Sequence, residues 1–347
     1  MSLSSLPSQT LPWASAMTVS TRNEKVYSDC CPGATPAGIQ QLYWGVAAGV
    51  PEASYRKQSC GTPTTVVPAG NSTSTSPTAS PPLGRARQDE GMSDETSVGR
   101  PLALVTGAGR SAGIAASVVL DLARDGWDVA FTYWAPYDAR MPWGAEPGAS
   151  AELRKRVAEL GARTVAVEAD LSDPAVPVRL FDTVERELGN VTALVLCHCE
   201  SVDSGLLDTT VESFDLHVAV NARATWLLIR EYGLRFRGRH GSGRIVSLTS
   251  DHTAGNLPYG ASKGAMDRIT LAAARELAHL GVTCNAVNPG PTDTGWMTEE
   301  LKAQVTGRTP LGRLGTPQDC ANLVGFLCSA RGGWINGQLL HSNGGFA

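Results

Sequence analysis

The chain has 347 residues, 42% hydrophobic and 18% charged, with a formal net charge of −4. That balance suits a soluble globular protein and excludes the broad basic face that nucleic-acid binding requires. No apolar run approaches the ~18 residues of a membrane-spanning helix, and no basic stretch leads into an apolar one at the N-terminus. With eight cysteines, five of them inside or beside apolar runs, and no export signal, the expected state is reduced and cytoplasmic.

Composition changes near residue 98. Residues 62–82 read TPTTVVPAGNSTSTSPTASPP, in which 15 of 21 positions are Ser, Thr or Pro. Such a stretch has no apolar face to set against its chain entropy. Residues 1–60 add Leu42, Tyr43, Trp44 and Val46 without a sustained period. Residues 1–98 are therefore expected to be a disordered low-complexity extension, and 99–347 a single α/β domain. Met92 opens MSDETSVGR just before the first strand pattern, which makes it the expected natural start. Peptides from residues 1–84 in the native protein, read by mass spectrometry, would overturn that expectation.

From residue 101 short β-branched runs alternate with longer helical ones. PLALVT (101–106) reads as a strand and 114–126 as a helix closed by glycine. WDVAFTYW (127–134) is a strand, followed by an insertion, Ala135–Gly148, carrying Pro136, Tyr137, Met141 and Trp143. That insertion is expected on the adenosine side or as a surface loop. Residues 149–161 read as a helix, 162–170 as a strand, 175–188 as a helix and 192–197 as a strand. One long helical stretch covers 211–236, then a strand 243–250, a second long helix 259–281 and a strand 282–290. Strands apolar on both faces, alternating with helices, imply βαβ units and a doubly wound parallel sheet, the Rossmann fold.

The first strand ends in TGAGRSAGIA, Thr106 to Ala115, and a helix follows at once. Gly107, Gly109 and Gly113 allow a tight turn and close approach to a pyrophosphate, and the helix N-terminus offers free N–H groups. Ala115 stands where a further glycine often sits and is small enough to replace it. The second strand ends FTYW without the acidic residue that takes the ribose hydroxyls of NAD; the nearest is Asp138. Arg110 in the loop is placed to meet a 2′-phosphate. Both features favour NADP(H) over NAD(H).

Tyr259 and Lys263 stand four apart at a helix start and so share one face. With the TGAGRSAGI loop, Asp170-Leu171, Asn221, GRIVSLTS, Tyr259-Gly-Ala-Ser-Lys263, Asn288-Pro-Gly-Pro-Thr-Asp-Thr294 and the closing GQLLHSNGGF, the chain resembles the short-chain dehydrogenase/reductase family in its single-domain branch. Within it the chain is most similar to 3-oxoacyl-(acyl-carrier-protein) reductases. The resemblance implies an NADP-dependent oxidoreductase that passes a hydride between nicotinamide and a carbonyl or secondary alcohol, on a small molecule that is free or bound to acyl carrier protein. It implies Tyr259 as acid–base, its pKa lowered by the Lys263 ammonium. Ser250 would polarise the carbonyl, and Asn221 would kink its helix and hold a water. Asp170 with Leu171 would serve the adenine. Gly107, Arg110, Ser111, Gly113 and Ile114 would serve the phosphates, and Pro289, Gly290, Thr292 and Thr294 the carboxamide. Trp296–Pro310 would be the substrate lid.

Two departures stand out. Only nine positions separate Ser250 from Tyr259, with Ser247 and Thr249 as rival serine-type residues. In addition, Leu196-Cys-His-Cys-Glu200 replaces the family's Asn-Asn-Ala-Gly, in uncertain register. Cys197-His198-Cys199 lacks the remaining ligands of a zinc site, and no metal is expected. His252 beside Ser250 has no nucleophile elbow to support a hydrolase pair. The rival readings are a non-catalytic nucleotide-sensing or scaffold protein and an extended-branch epimerase or dehydratase; the short region after Pro289 leaves no room for the latter's substrate domain. Apolar and small residues on 211–236 and 259–280 imply a homotetramer or homodimer through paired helices, with an edge near Gly337–His341 for a second contact.

Overall fold

A computed structural model describes residues 99–346; the expected extension and the start at Met92 lie outside them. Seven strands make one parallel sheet: β1 (Leu102–Thr106), β2 (Asp128–Tyr133), β3 (Thr164–Glu168), β4 (Val191–Leu196), β5 (Gly243–Leu248), β6 (Val282–Asn288) and β7 (Leu339–His341). Their order is β3-β2-β1-β4-β5-β6-β7. The helices are α1 (Ile114–Arg124), α2 (Ala135–Arg140), α3 (Ala149–Glu159), α4 (Val176–Leu188), α5 (Val211–His217), α6 (Ala224–Arg235), α7 (Leu257–Glu276), α8 (Glu299–Arg308) and α9 (Pro317–Cys328).

Why the strands look uniformly apolar is visible in β1, which is buried at all five positions. Ala103 and Val105 face one core, shared with α1, α3 and α9. Leu102 and Leu104 face the other, shared with α4, α6 and α7. A strand covered on both sides has no polar face to alternate with. This is the doubly wound Rossmann arrangement expected from the sequence.

Three features add to the sequence pattern. The stretch 211–236 is helical from Val211 to Arg235, as expected, with a π turn at Val218–Arg223 between α5 and α6. It carries the fully buried Asn221, whose side chain bonds outside its own helix. The insertion after β2 begins with the short helix α2, not a plain loop. Helix α9 was not anticipated, yet Thr316-Pro-Gln-Asp319 opens it with a complete capping box. Among the described residues no helix is long and apolar enough to cross a membrane.

Candidate active site

Strand β1 pairs with β2 on one side and β4 on the other, so the crevice opens at the carboxyl ends of β1 and β4. Gly107 follows β1 directly, with φ +82°, and a Cβ there would lie 2.7 Å from the backbone of His198. A Cβ on Gly109 would lie 2.6 Å from an Asp138 carboxylate oxygen. Only glycine lets the loop run this close to both neighbours. Gly113 is the N-cap of α1, and no side chain caps that helix start. Ile114, the first helical residue, packs against the core beneath.

The segment Leu196-Cys-His-Cys-Glu200 is brought to the loop by His198. Its Nε2 faces the Val220 carbonyl at 3.1 Å and must donate; Nδ1 then accepts from the Thr106 hydroxyl at 2.7 Å. The Thr106 oxygen in turn accepts from the Cys197 N–H at 3.1 Å. His198 thus ties β1, β4 and the π turn together. Complete burial, with the Lys263 charge nearby, pushes its pKa down to about 3. Cys197 and Cys199 are pushed up, chiefly by burial. Among the described residues no three His, Cys, Asp or Glu side chains gather as a metal site would require.

Asn221 is buried completely and all of its carboxamide is engaged. Oδ1 accepts from the Glu200 N–H at 2.7 Å, and Nδ2 donates to the Glu200 carbonyl and the Ser262 hydroxyl, each at 2.8 Å. Ser262 donates onward to the Tyr259 carbonyl at 2.7 Å. The Asn221 side chain therefore positions the first turn of α7. Glu200 also pairs with Arg140 of α2, which joins the insertion to this network.

Tyr259 and Lys263 lie on one face of α7, with Nζ 5.6 Å from the phenol ring centroid. Lys263 is buried and donates to the Leu248 carbonyl at 2.8 Å. Of the three candidate hydroxyls, Ser250 is the one whose side chain acts on Tyr259, and its Oγ accepts from the His252 N–H at 3.2 Å. Ser247 instead pairs with Thr270 at 2.9 Å, and Thr249 faces Asp267. The short loop 251–256 fits because Gly260 has no side chain: a Cβ there would meet the His252 carbonyl oxygen inside contact distance. In the protein itself the Tyr259 pKa is raised, first by burial and then by Cys199, while the Ser250 hydrogen bond opposes this. Burial lowers the pKa of Lys263 as well, and its ammonium is held by the Leu248 carbonyl.

On the adenosine side, Asp170 accepts from the Ser172 N–H at 2.9 Å, with Leu171 buried beneath. A shallow groove beside them is lined by Glu168, Asp170, Arg179 and Thr183. Arg110 does not point into open solvent: it donates to the Thr294 carbonyl at 2.5 Å and stacks 4.5 Å over Trp143. Ser111 is engaged by Glu146. The segment from Pro289 is braced from outside, since a Cβ on Gly290 (φ +60°) would collide with Asn343. Thr292 is buried, bridged to Gly315 and bonded to the Pro289 carbonyl at 3.3 Å. The expected lid holds α8, capped by Thr298 and tied back by Lys302 to Asp293 at 3.1 Å.

The donor set fits a dinucleotide. Helix α1 starts at Gly113 without a side-chain cap, and the Ser111 N–H and hydroxyl already hold an oxyanion. The comparisons agree. A family model described as enoyl-(acyl carrier protein) reductase matches residues 107–347. An uncharacterised oxidoreductase of Bacillus subtilis, YjdA, is 36% identical over 250 residues, 71% of this chain and 96% of its own. The chain belongs to the short-chain dehydrogenase/reductase family. An Arabidopsis thaliana NADPH-dependent aldehyde reductase-like protein, chloroplastic, is 31% identical across 74% of this chain and 100% of its own. A 3-oxoacyl-[acyl-carrier-protein] reductase of Staphylococcus aureus is 33% identical across 70% and 96%. A solved blue fluorescent protein from a metagenomic library, in complex with NADPH, matches with TM-score 0.64 and 30% identity over 72% of this chain and 98% of its own.

The burial of His198 has a measurable consequence. His198 gains a proton near pH 6.5 when unfolded but only near 3 when folded. Its contribution to stability is complete above about pH 6.5 and is lost as the pH falls toward 3. Urea unfolding at pH 7 and pH 4 should show the wild type losing about 3 kcal/mol more than His198→Asn. Equal losses in the two proteins would show that His198 is not buried in the neutral form.

Proposed function

We propose that the protein is an NADP(H)-dependent reductase of ketones or aldehydes, acting on a small carbonyl compound that is free or carried on acyl carrier protein. The observation that carries the reading is Ser250, Tyr259 and Lys263 converging at the carboxyl end of β5, beside the glycine loop. When bound, NADPH supplies the hydride. The preference for NADP(H) is supported by Arg110 in the loop and by the NADPH named for one relative and one solved neighbour.

Ser250 would hydrogen-bond the substrate oxygen and polarise it. Tyr259, kept in its acid form by burial, would give its phenolic proton to that oxygen as negative charge develops. Lys263, fixed by the Leu248 carbonyl, would hold the nicotinamide ribose and stabilise the phenolate left behind. Asn221 acts through Ser262 on the placement of Tyr259. Gly107, Arg110, Ser111, Gly113 and Ile114 would line the phosphates, Asp170 and Leu171 the adenine, and Pro289, Gly290, Thr292 and Thr294 the carboxamide. Trp296, about half exposed beside α8, would close over the substrate.

Assembly follows from surfaces the single chain leaves uncovered. Ala261, Gly264, Ala265 and Ala272 form an exposed small-residue stripe along α7, and Trp226 is 51% exposed on α6. Pairing these helices with their copies would bury both faces.

Tyr259→Phe should lower kcat by about 10²-fold or more while NADPH still binds, because only the proton donor is removed. Near-normal turnover with a ketone and aldehyde panel would refute the tyrosine assignment. Light scattering at micromolar concentration should give a dimer or tetramer; a stable, fully active monomer would refute the assembly.

A further inference from the structure

The segment 135–148, between β2 and α3, folds back onto the glycine loop with two carboxylates and an indole. Asp138 is buried; its Oδ2 packs against Gly109 and its Oδ1 accepts from the Trp143 indole N–H at 2.9 Å. Trp143 lies under the Arg110 guanidinium. Glu146, exposed at the far end of the segment, reaches Ser111: one carboxylate oxygen accepts from the Ser111 N–H and hydroxyl, both at 2.9 Å. These two bonds, with Arg110 nearby, hold the Glu146 carboxyl below the usual carboxylate range, so it is an anion at neutral pH.

Ser111 thus presents a two-donor seat beside a guanidinium, and an anion of this chain sits in it. A phosphate monoester offers oxygens of the same kind to the same donors. Which phosphate is at stake follows from the topology. Glu146 arrives from the segment after β2, the ribose side of the crevice, whereas the diphosphate belongs at the start of α1 beyond Gly113.

We propose that Glu146 is a specificity-determining residue: its carboxylate holds the place on Ser111 that the 2′-phosphate of NADP(H) takes, and a phosphorylated cofactor enters by displacing it. The proposal rests on the reading of the crevice as a nicotinamide dinucleotide site. Glu146 then works against the 2′-phosphate twice, by occupying its donors and by like-charge repulsion. It leaves an unphosphorylated ribose undisturbed, because a hydroxyl can donate to the carboxylate. Arg110 would favour the phosphate, Glu146 would oppose it, and the balance sets how far the protein prefers NADP(H) to NAD(H).

The test is calorimetric and independent of turnover. Adenosine 2′,5′-bisphosphate and adenosine 5′-monophosphate are titrated into the full-length wild type and into Glu146→Gln, an exposed isosteric change. The bisphosphate should bind the variant roughly ten-fold more tightly, as expected for freeing charge-assisted donors, and the monophosphate should change by less than about two-fold. Unchanged or weaker bisphosphate binding by the variant would overturn the role of Glu146. An equal gain for both nucleotides would place Glu146 on the diphosphate and also overturn it. If neither protein binds either nucleotide, the dinucleotide reading falls, and this proposal with it.

Discussion

The carboxamide of Asn221 is the constraint on which the site depends. It is wholly buried, and a buried amide must satisfy its donors and acceptor inside the protein. The two main-chain groups of Glu200 and the hydroxyl of Ser262 do so. An α-helix running unbroken through 211–236 would set that side chain differently; the π turn is the local form that accompanies these bonds. From this point the end of β4, the insertion through Arg140, and the tyrosine-bearing turn of α7 share one network. A half-satisfied network of this kind would be costly, so its members are expected to move or fail together.

Burial shapes the acid–base groups as strongly as their neighbours do. The tyrosine is pushed toward its protonated form and the lysine away from its charged form by the same removal from water. The lysine also donates to the Leu248 carbonyl. Sequence spacing places the pair on one helix face, but it carries no information on this balance.

What could be read from the sequence was what depends on local pattern. The glycines after β1, the four-residue step from Tyr259 to Lys263 and the two-faced strands each follow from short-range geometry, and the structure has them as read. Only its place at the strand end distinguishes Ser250 from Ser247 and Thr249 in the sequence, whereas the pairing of Ser247 with Thr270 across 23 residues has no local signal. Helix α9 has a local start signal in Thr316-Pro-Gln-Asp319, whose capping box is complete. The partners of His198, Arg110 and Ser111 come from segments 22 to 184 residues away, and no local period points to them. The extension before residue 99 lies outside the described residues.

Gly260 bears on how this sequence can change over generations. The loop from Ser250 to Tyr259 is short, and its His252 carbonyl lies where a β-carbon at position 260 would have to be. Loop length and residue identity are therefore inherited as a pair. A lineage that adds residues to the loop first becomes free to exchange the glycine, whereas one that exchanges the glycine first meets a clash one position from Tyr259. The order of events is thus directional, and this loop is expected to diversify by insertion before position 260 departs from glycine.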